Sequence, residues 1–192
     1  MNTHTSHPPA LDHLMNRIDR AVALPDVDHI VEAVKRELQC GCREDRVQLP
    51  ERFRVARKDC YARRLLHRNP EAGYSVVVMT WGPGQQTPLH DHAGIWCVEC
   101  VVQGKLHVTQ YDMEQERDGR CRFREQTRVE AGVGDAGCLI PPFEYHVLSN
   151  ALADETTITL HVYGGEMDHC NLFSPGRDGW WDRSRRELAY HD

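Results

Sequence analysis

The chain has 192 residues, 40% hydrophobic and 27% charged, with a formal net charge of −6 and no basic run. This is length enough for one domain with a proper core, and the charge argues against nucleic acid as the main partner. No apolar run reaches membrane-spanning length, and the N-terminal MNTHTSHPPALDH lacks a basic start and an apolar segment. The expectation is a cytoplasmic protein whose eight cysteines are mostly thiols.

Residues 1–9 read as a loose tail. From Leu11 the apolar positions Leu14, Met15, Ile18, Ala21 and Val22 follow helical spacing, and Pro25 ends the segment. Asp26 or Asp28 is a candidate cap for a second helix carrying Ile30, Val31, Val34 and Leu38, with Cys40-Gly41-Cys42 as its stop. These two helices are expected to cover the outside of the remaining domain. After Pro50 the texture changes. Stretches 61–66, 74–81, 95–102, 105–112, 121–130, 138–140, 145–149 and 156–163 read as short strands between turn signals such as Asp118-Gly119. Many short strands without helices between them mean a sandwich or barrel. The predicted organisation is one domain over 1–192: a helical cap at about 1–45, a β-barrel at about 50–173 and a polar tail at 174–192 lying over the barrel. In that tail Trp180-Trp181 is expected to pack.

The stretch from Trp81 to Gly104 carries the chemistry. A loop rich in Gly and Pro delivers His90 and His92 at i, i+2, which on an extended chain point to one face. A second segment, Gly134 to Asn150, contains a tight turn, the Pro141-Pro142 pair and then His146. The first stretch resembles the first cupin motif through Gly84, His90, His92 and Gly104; the second resembles the second motif through His146 and Asn150. The fold this resemblance implies is all-β with N-terminal helices, a cupin jelly-roll β-barrel. The usual Glu ligand is missing: Cys97 stands at the edge of its window and Glu99 lies two beyond. Three neutral imidazoles without a carboxylate are close to the facial site of non-haem Fe(II) oxygenases and favour an anionic ligand such as a thiolate.

The resemblance sharpens to the thiol dioxygenases, most of all bacterial type I cysteine dioxygenase. His92 and Cys97 keep the family's gap, Thr159-Leu-His161-Val-Tyr163 resembles its Ser-x-His-x-Tyr strand, Asp168-His-Cys170-Asn-Leu-Phe173 comes after it, and Tyr61-Ala-Arg63 lies upstream. The resemblance implies that His90, His92 and His146 bind Fe(II), and that Arg63, with Tyr61, receives the substrate carboxylate. It further implies that Tyr163 sets its hydroxyl beside thiolate and O2, that His161 orients it, and that Thr159 holds His161. Cys97 and Tyr163 correspond to a pair joined by a thioether in animal-type relatives. The implied reaction is dioxygenation of L-cysteine to cysteine sulfinic acid, an oxidoreductase step of cysteine catabolism needing only a small thiol and O2 as partners. Gly164-Gly165 and the Trp-Gly-Pro-Gly approach resemble 3-mercaptopropionate dioxygenases instead, which leaves that substrate open. A metal-containing cupin acting as a sensor is the different-class alternative.

Other motifs have plainer readings. Cys97-Val-Glu-Cys100 is a CxxC, but i and i+3 on a strand face opposite ways, so the sulfurs should diverge. On the same rule Arg64 points away from Arg63. Cys40 and Cys42 read as small apolar residues or surface thiols, and His67, His107 and His169 as structural.

Overall fold

The computed structural model describes residues 8–43 and 47–192. The expected N-terminal tail lies outside them except for Pro8 and Pro9, and Pro9 opens α1 (Pro9–Val22). Leu11, Leu14, Met15, Ile18 and Ala21 form the buried stripe of this helix, as the spacing predicts. In α2 (Val27–Arg43), Asp26 is the cap: its Oδ1 accepts the backbone N–H of His29 at 3.0 Å. Cys40-Gly41-Cys42 does not stop this helix, which runs on to Arg43. The reason is packing. A Cβ at Gly41 would press on the Leu14 side chain at 3.2 Å, so the glycine lets α1 and α2 approach, and that contact outweighs its weak helix propensity.

The strands in chain order are β1 (Ala62–Asn69), β2 (Tyr74–Trp81), β3 (Leu89–His90), β4 (Cys97–Gln103), β5 (Leu106–Arg117), β6 (Arg120–Ala131), β7 (Ala136–Leu139), β8 (Tyr145–Asn150), β9 (Thr157–Tyr163), β10 (His169–Pro175) and β11 (Trp181–Glu187). One antiparallel sheet has the order β1-β2-β9-β4-β7. The other pairs in a closed ring, β10-β11-β6-β5-β8-β3, in which β3 returns to β10. Together they form the jelly-roll barrel of a cupin. The polar tail is therefore more than a covering, since β11 bridges β10 and β6. Its Arg and Asp residues hid it from a search for apolar alternation.

Period-two alternation divides the first sheet's side chains between two cores. Val76, Val78, Val98, Cys100, Leu160 and Val162 face the helices. Val77, Met79, Trp81, Cys97, Val101 and Tyr163 face the barrel interior. Cys97 and Cys100 thus diverge as the strand rule requires, and none of the eight cysteines is in a disulfide. Cys100 instead meets Cys42 of α2, sulfur to sulfur at 3.6 Å. Trp181 packs with Phe123 and Phe173 in a third cluster inside the ring of strands. The β5–β6 hairpin turns on Asp118 and Gly119, both at positive φ (51° and 75°), as a two-residue hairpin loop demands.

Covering the first sheet with helices is a large part of the stability. Leu38, fully buried between α2 and this sheet, should cost about 2–5 kcal/mol when cut to Ala. Urea denaturation measures this, with the barrel interior on the other face of the sheet left unchanged.

Candidate metal centre

His90 ends β3, and its Cα partner on β8 is His146. That register brings the two Nε2 atoms to 3.2 Å. His92 lies beyond the strand, just before a turn made by Ala93 and Gly94 at positive φ. The strand geometry expected for both histidines thus holds only for His90, yet the three rings converge. One ligand atom from each lies within 4.8 Å of the others, and all three residues are buried. Asp91 fixes the loop: its carboxylate accepts the backbone and side-chain N–H groups of Asn171, both at 2.8 Å, and so ties the loop to β10.

Of the outer nitrogens only that of His90 is hydrogen-bonded; those of His92 and His146 face carboxylates beyond hydrogen-bond distance. The His90 Nδ1–H donates to the Pro88 carbonyl at 3.1 Å, which turns the Nε2 lone pair inward. Glu144 lies 3.7 Å from His92 Nδ1 and accepts the His92 backbone N–H at 2.6 Å. Glu99 lies 3.9 Å from His146 Nδ1 and 3.5 Å from His161 Nδ1. Burial, then mutual repulsion, holds His92 and His146 well below the usual imidazole range; burial lowers His90 as well. Neutral imidazoles with inward lone pairs and carboxylates behind them are what a divalent metal requires, so this donor set fits one. Glu99 and Glu144 were not found as functional residues from sequence. A carboxylate behind a ligand has no fixed spacing, and Glu99 drew notice only as a ligand out of place.

Arg63, Tyr61, His90 and Tyr163 line one cavity of about 450 Å³ together with Met79, Met167 and Cys170. Arg63 is 3% exposed; its Nη2–H donates to the Met167 carbonyl at 2.5 Å, and its buried Nη1 has no protein partner. Arg64 points away, its Nε–H donating to the Asp192 carbonyl. Tyr61 stacks on Trp81, with ring centroids 4.6 Å apart. Cys97 and Tyr163 are direct cross-strand partners on β4 and β9, and both side chains lie in the barrel core. Burial pushes both groups well above their usual ranges. Trp81 Nε1–H donates to Thr159 Oγ1 at 3.0 Å, and Thr159 meets His161 Nε2 at 2.8 Å. The expected hold of Thr159 on His161 is thus present. The expected link from His161 to the Tyr163 hydroxyl takes another form: the rings are stacked at 6.0 Å, and the two His161 nitrogens face Thr159 and Glu99. Two alternate residues on one strand stack side by side, which turns the ring edges outward to the flanking strands. A second cavity of about 270 Å³ reaches Glu99 and Thr159 from the β7 side of the barrel.

The buried imidazoles set the pH dependence of the metal-free protein. Unfolded, they protonate below about 6.5, whereas folded they stay neutral, His161 down to about 3. The unfolded state binds more protons in that window, so stability is lost as pH falls, by up to about 1.4 kcal/mol per pH unit for each group. Glu99, raised to about 8 by burial, has the opposite sign, and its stabilisation declines as pH rises from 4.5 towards 8. Urea midpoints of metal-free protein should therefore peak near neutrality and drop steeply towards about pH 5, while Glu99→Gln flattens the alkaline side. Equal midpoints at about pH 7 and about pH 5 would contradict buried neutral imidazoles.

Residues 20–176 match the family description Cysteine dioxygenase type I, which covers well over half of the chain. Cysteine dioxygenase type 1 of Rattus norvegicus is 21% identical over 113 residues, and that of Danio rerio 23% over 115 residues; each match covers 59% of this chain and 55% of the relative. The chain thus spans about half the length of the curated relatives it matches. Among solved structures, a double-stranded β-helix protein of Klebsiella pneumoniae is similar at 19% identity and TM-score 0.44, covering 76% of this chain and all of that one. The cupin domain of Schizosaccharomyces pombe Cnp3 is similar at 14% identity and TM-score 0.45, over 62% of this chain and 70% of that one. Membership rests on the sequence match rather than on these distant shapes: the chain belongs to the cysteine dioxygenase type I family.

Proposed function

We propose that this protein is an Fe(II)-dependent thiol dioxygenase that converts L-cysteine and O2 to cysteine sulfinic acid. The observation that carries the reading is one cavity lined both by His90 and Tyr163 and by a buried guanidinium with a free N–H. Iron(II) held by His90, His92 and His146 would supply the redox chemistry that joins O2 to sulfur. The protein supplies the rest. Arg63 binds the substrate carboxylate through Nη1, with Tyr61 as the adjacent wall, since a guanidinium fork is shaped for a carboxylate. The Tyr163 phenol, kept protonated by burial, offers a hydrogen bond where thiolate and O2 meet. His161 fixes that ring by stacking, and Thr159 fixes His161. Cys97 and Tyr163, paired across β4 and β9, are suited to form a thioether, each giving up one hydrogen to O2 as oxidant.

The two loops that resemble 3-mercaptopropionate dioxygenases have packing roles that say nothing of substrate. A Cβ at Gly164 would collide with the Trp96 indole. In the Trp-Gly-Pro-Gly turn, Gly84 holds a φ of 71° and the Gly82 N–H donates to the Gln85 side chain at 2.7 Å. What favours cysteine is Arg63 itself, which stands where the 3-mercaptopropionate dioxygenases that these loops resemble typically carry Gln.

The test is O2 uptake by iron-loaded protein with sulfinate detection, on L-cysteine and 3-mercaptopropionate side by side. Cysteine should be preferred. Arg63→Gln should raise KM for cysteine about ten- to a hundredfold, the usual worth of a charge-assisted hydrogen bond. Preference for 3-mercaptopropionate would overturn the substrate reading. Uptake with neither thiol, in protein that retains its iron, would favour a sensor.

A further inference from the structure

The last five residues run from Leu188 to Asp192 across the gap between the two sheets. On one side the Leu188 N–H donates to the Asp168 carbonyl at 2.7 Å, next to β10. On the other, His191 pairs with Arg63 of the edge strand β1: its N–H donates to the Arg63 carbonyl at 2.8 Å, and its Nδ1 accepts the Arg63 backbone N–H at 3.0 Å. Leu188 and Tyr190 pack on the barrel core between these anchors. The segment is a strap over one wall of the substrate cavity, which Leu188 and His191 line.

Tyr190 is the residue in this strap that meets Arg63. The guanidinium carbon lies 4.6 Å from the centre of the phenol ring. The Tyr190 hydroxyl is itself tethered, donating to Glu166 at 2.6 Å, and Glu166 is paired with Arg68 at 2.7 Å. Arg63 is thus gripped by the Met167 carbonyl and by an aromatic face, which leaves Nη1 as the free donor. A ring over a desolvated guanidinium stabilises its charge and fixes its plane without using up an N–H. A carboxylate from the protein in the same place would occupy the fork.

We infer that Tyr190 is a positioning residue for substrate carboxylate recognition: it holds the Arg63 fork in one plane, charged and still able to donate. The inference rests on the reading of Arg63 given above. It predicts a selective effect, because only thiols with a carboxylate use the fork.

The experiment compares wild type, Arg63→Gln, Tyr190→Phe, Tyr190→Met and Tyr190→Leu as iron-loaded proteins, each checked by thermal melting. Binding of L-cysteine and of 2-aminoethanethiol, which lacks the carboxylate, is measured by anaerobic calorimetry, and KM and kcat for cysteine by O2 uptake. Phe keeps the ring and should bind cysteine like wild type. Met and Leu should weaken cysteine binding and raise KM about five- to thirtyfold, with kcat within about twofold and 2-aminoethanethiol binding unchanged. Two replacements of different shape guard against one failing to fold. Equal losses for both thiols would make Tyr190 merely structural and overturn the inference. Wild-type binding in Met and Leu beside a weakened Arg63→Gln would overturn it while leaving the Arg63 reading in place. Wild-type cysteine binding in Arg63→Gln would remove that reading, and this inference with it.

Discussion

Three buried imidazoles within 4.8 Å of one another are the constraint on which the rest of this structure depends. Protonating any of them would place a charge in low dielectric beside two neighbours of the same kind, so each is driven to the neutral form. The fold makes that form usable. The β3–β8 register sets two Nε2 atoms face to face. The Pro88 carbonyl takes the outer proton of His90, and Asp91 anchors the loop that brings His92 in from outside the strand. None of these contacts yields much stability alone. Together they make three ring nitrogens converge, an arrangement that a divalent cation would satisfy.

The absence of a carboxylate among the ring of donors is therefore only part of the electrostatics. Glu99 and Glu144 stand directly behind two of the imidazoles, and both are buried. Glu99 is raised to about 8, so near neutrality it holds its proton and adds little negative charge. A divalent cation beyond His146 would favour its ionised form. The donor set keeps its appetite for an anionic ligand, and the surroundings can still respond to the metal's charge. A carboxylate one layer out serves this purpose without occupying a coordination position, which leaves those positions open to other ligands.

The parts of the fold legible in the sequence were those written in short-range pattern. The stripes of α1 and α2 come from their spacing, β2 and β9 from their apolar runs, and the divergence of Cys97 and Cys100 from period two alone. His90, His92 and His146 stood out because a metal constrains residue type and spacing together. Other features depend on contacts distant in sequence. Gly41 looks like a helix stop until Leu14 is seen against it. β11 is polar because it is exposed on the outer side of a ring of strands, so no alternation marks it. The orientation of His161 is a matter of which strands flank β9, and sequence spacing predicts only the shared face.

Arg63 poses the same problem as the imidazoles with the sign reversed. A guanidinium that is 3% exposed ordinarily needs a carboxylate, for an uncompensated buried charge costs several kcal/mol. A carboxylate there would satisfy the charge and close the site. The structure substitutes weaker partners, a carbonyl and an aromatic face, which lower the cost without neutralising the fork. The aromatic face is brought by backbone that covers the open edge of β1, where unpaired N–H and C=O groups would otherwise meet solvent. Covering an edge strand and charging a cavity are thus met by one stretch of chain. That is a physical reason for residues 188–192 to pair with Arg63 in a sheet-like way rather than to form a loose polar coil.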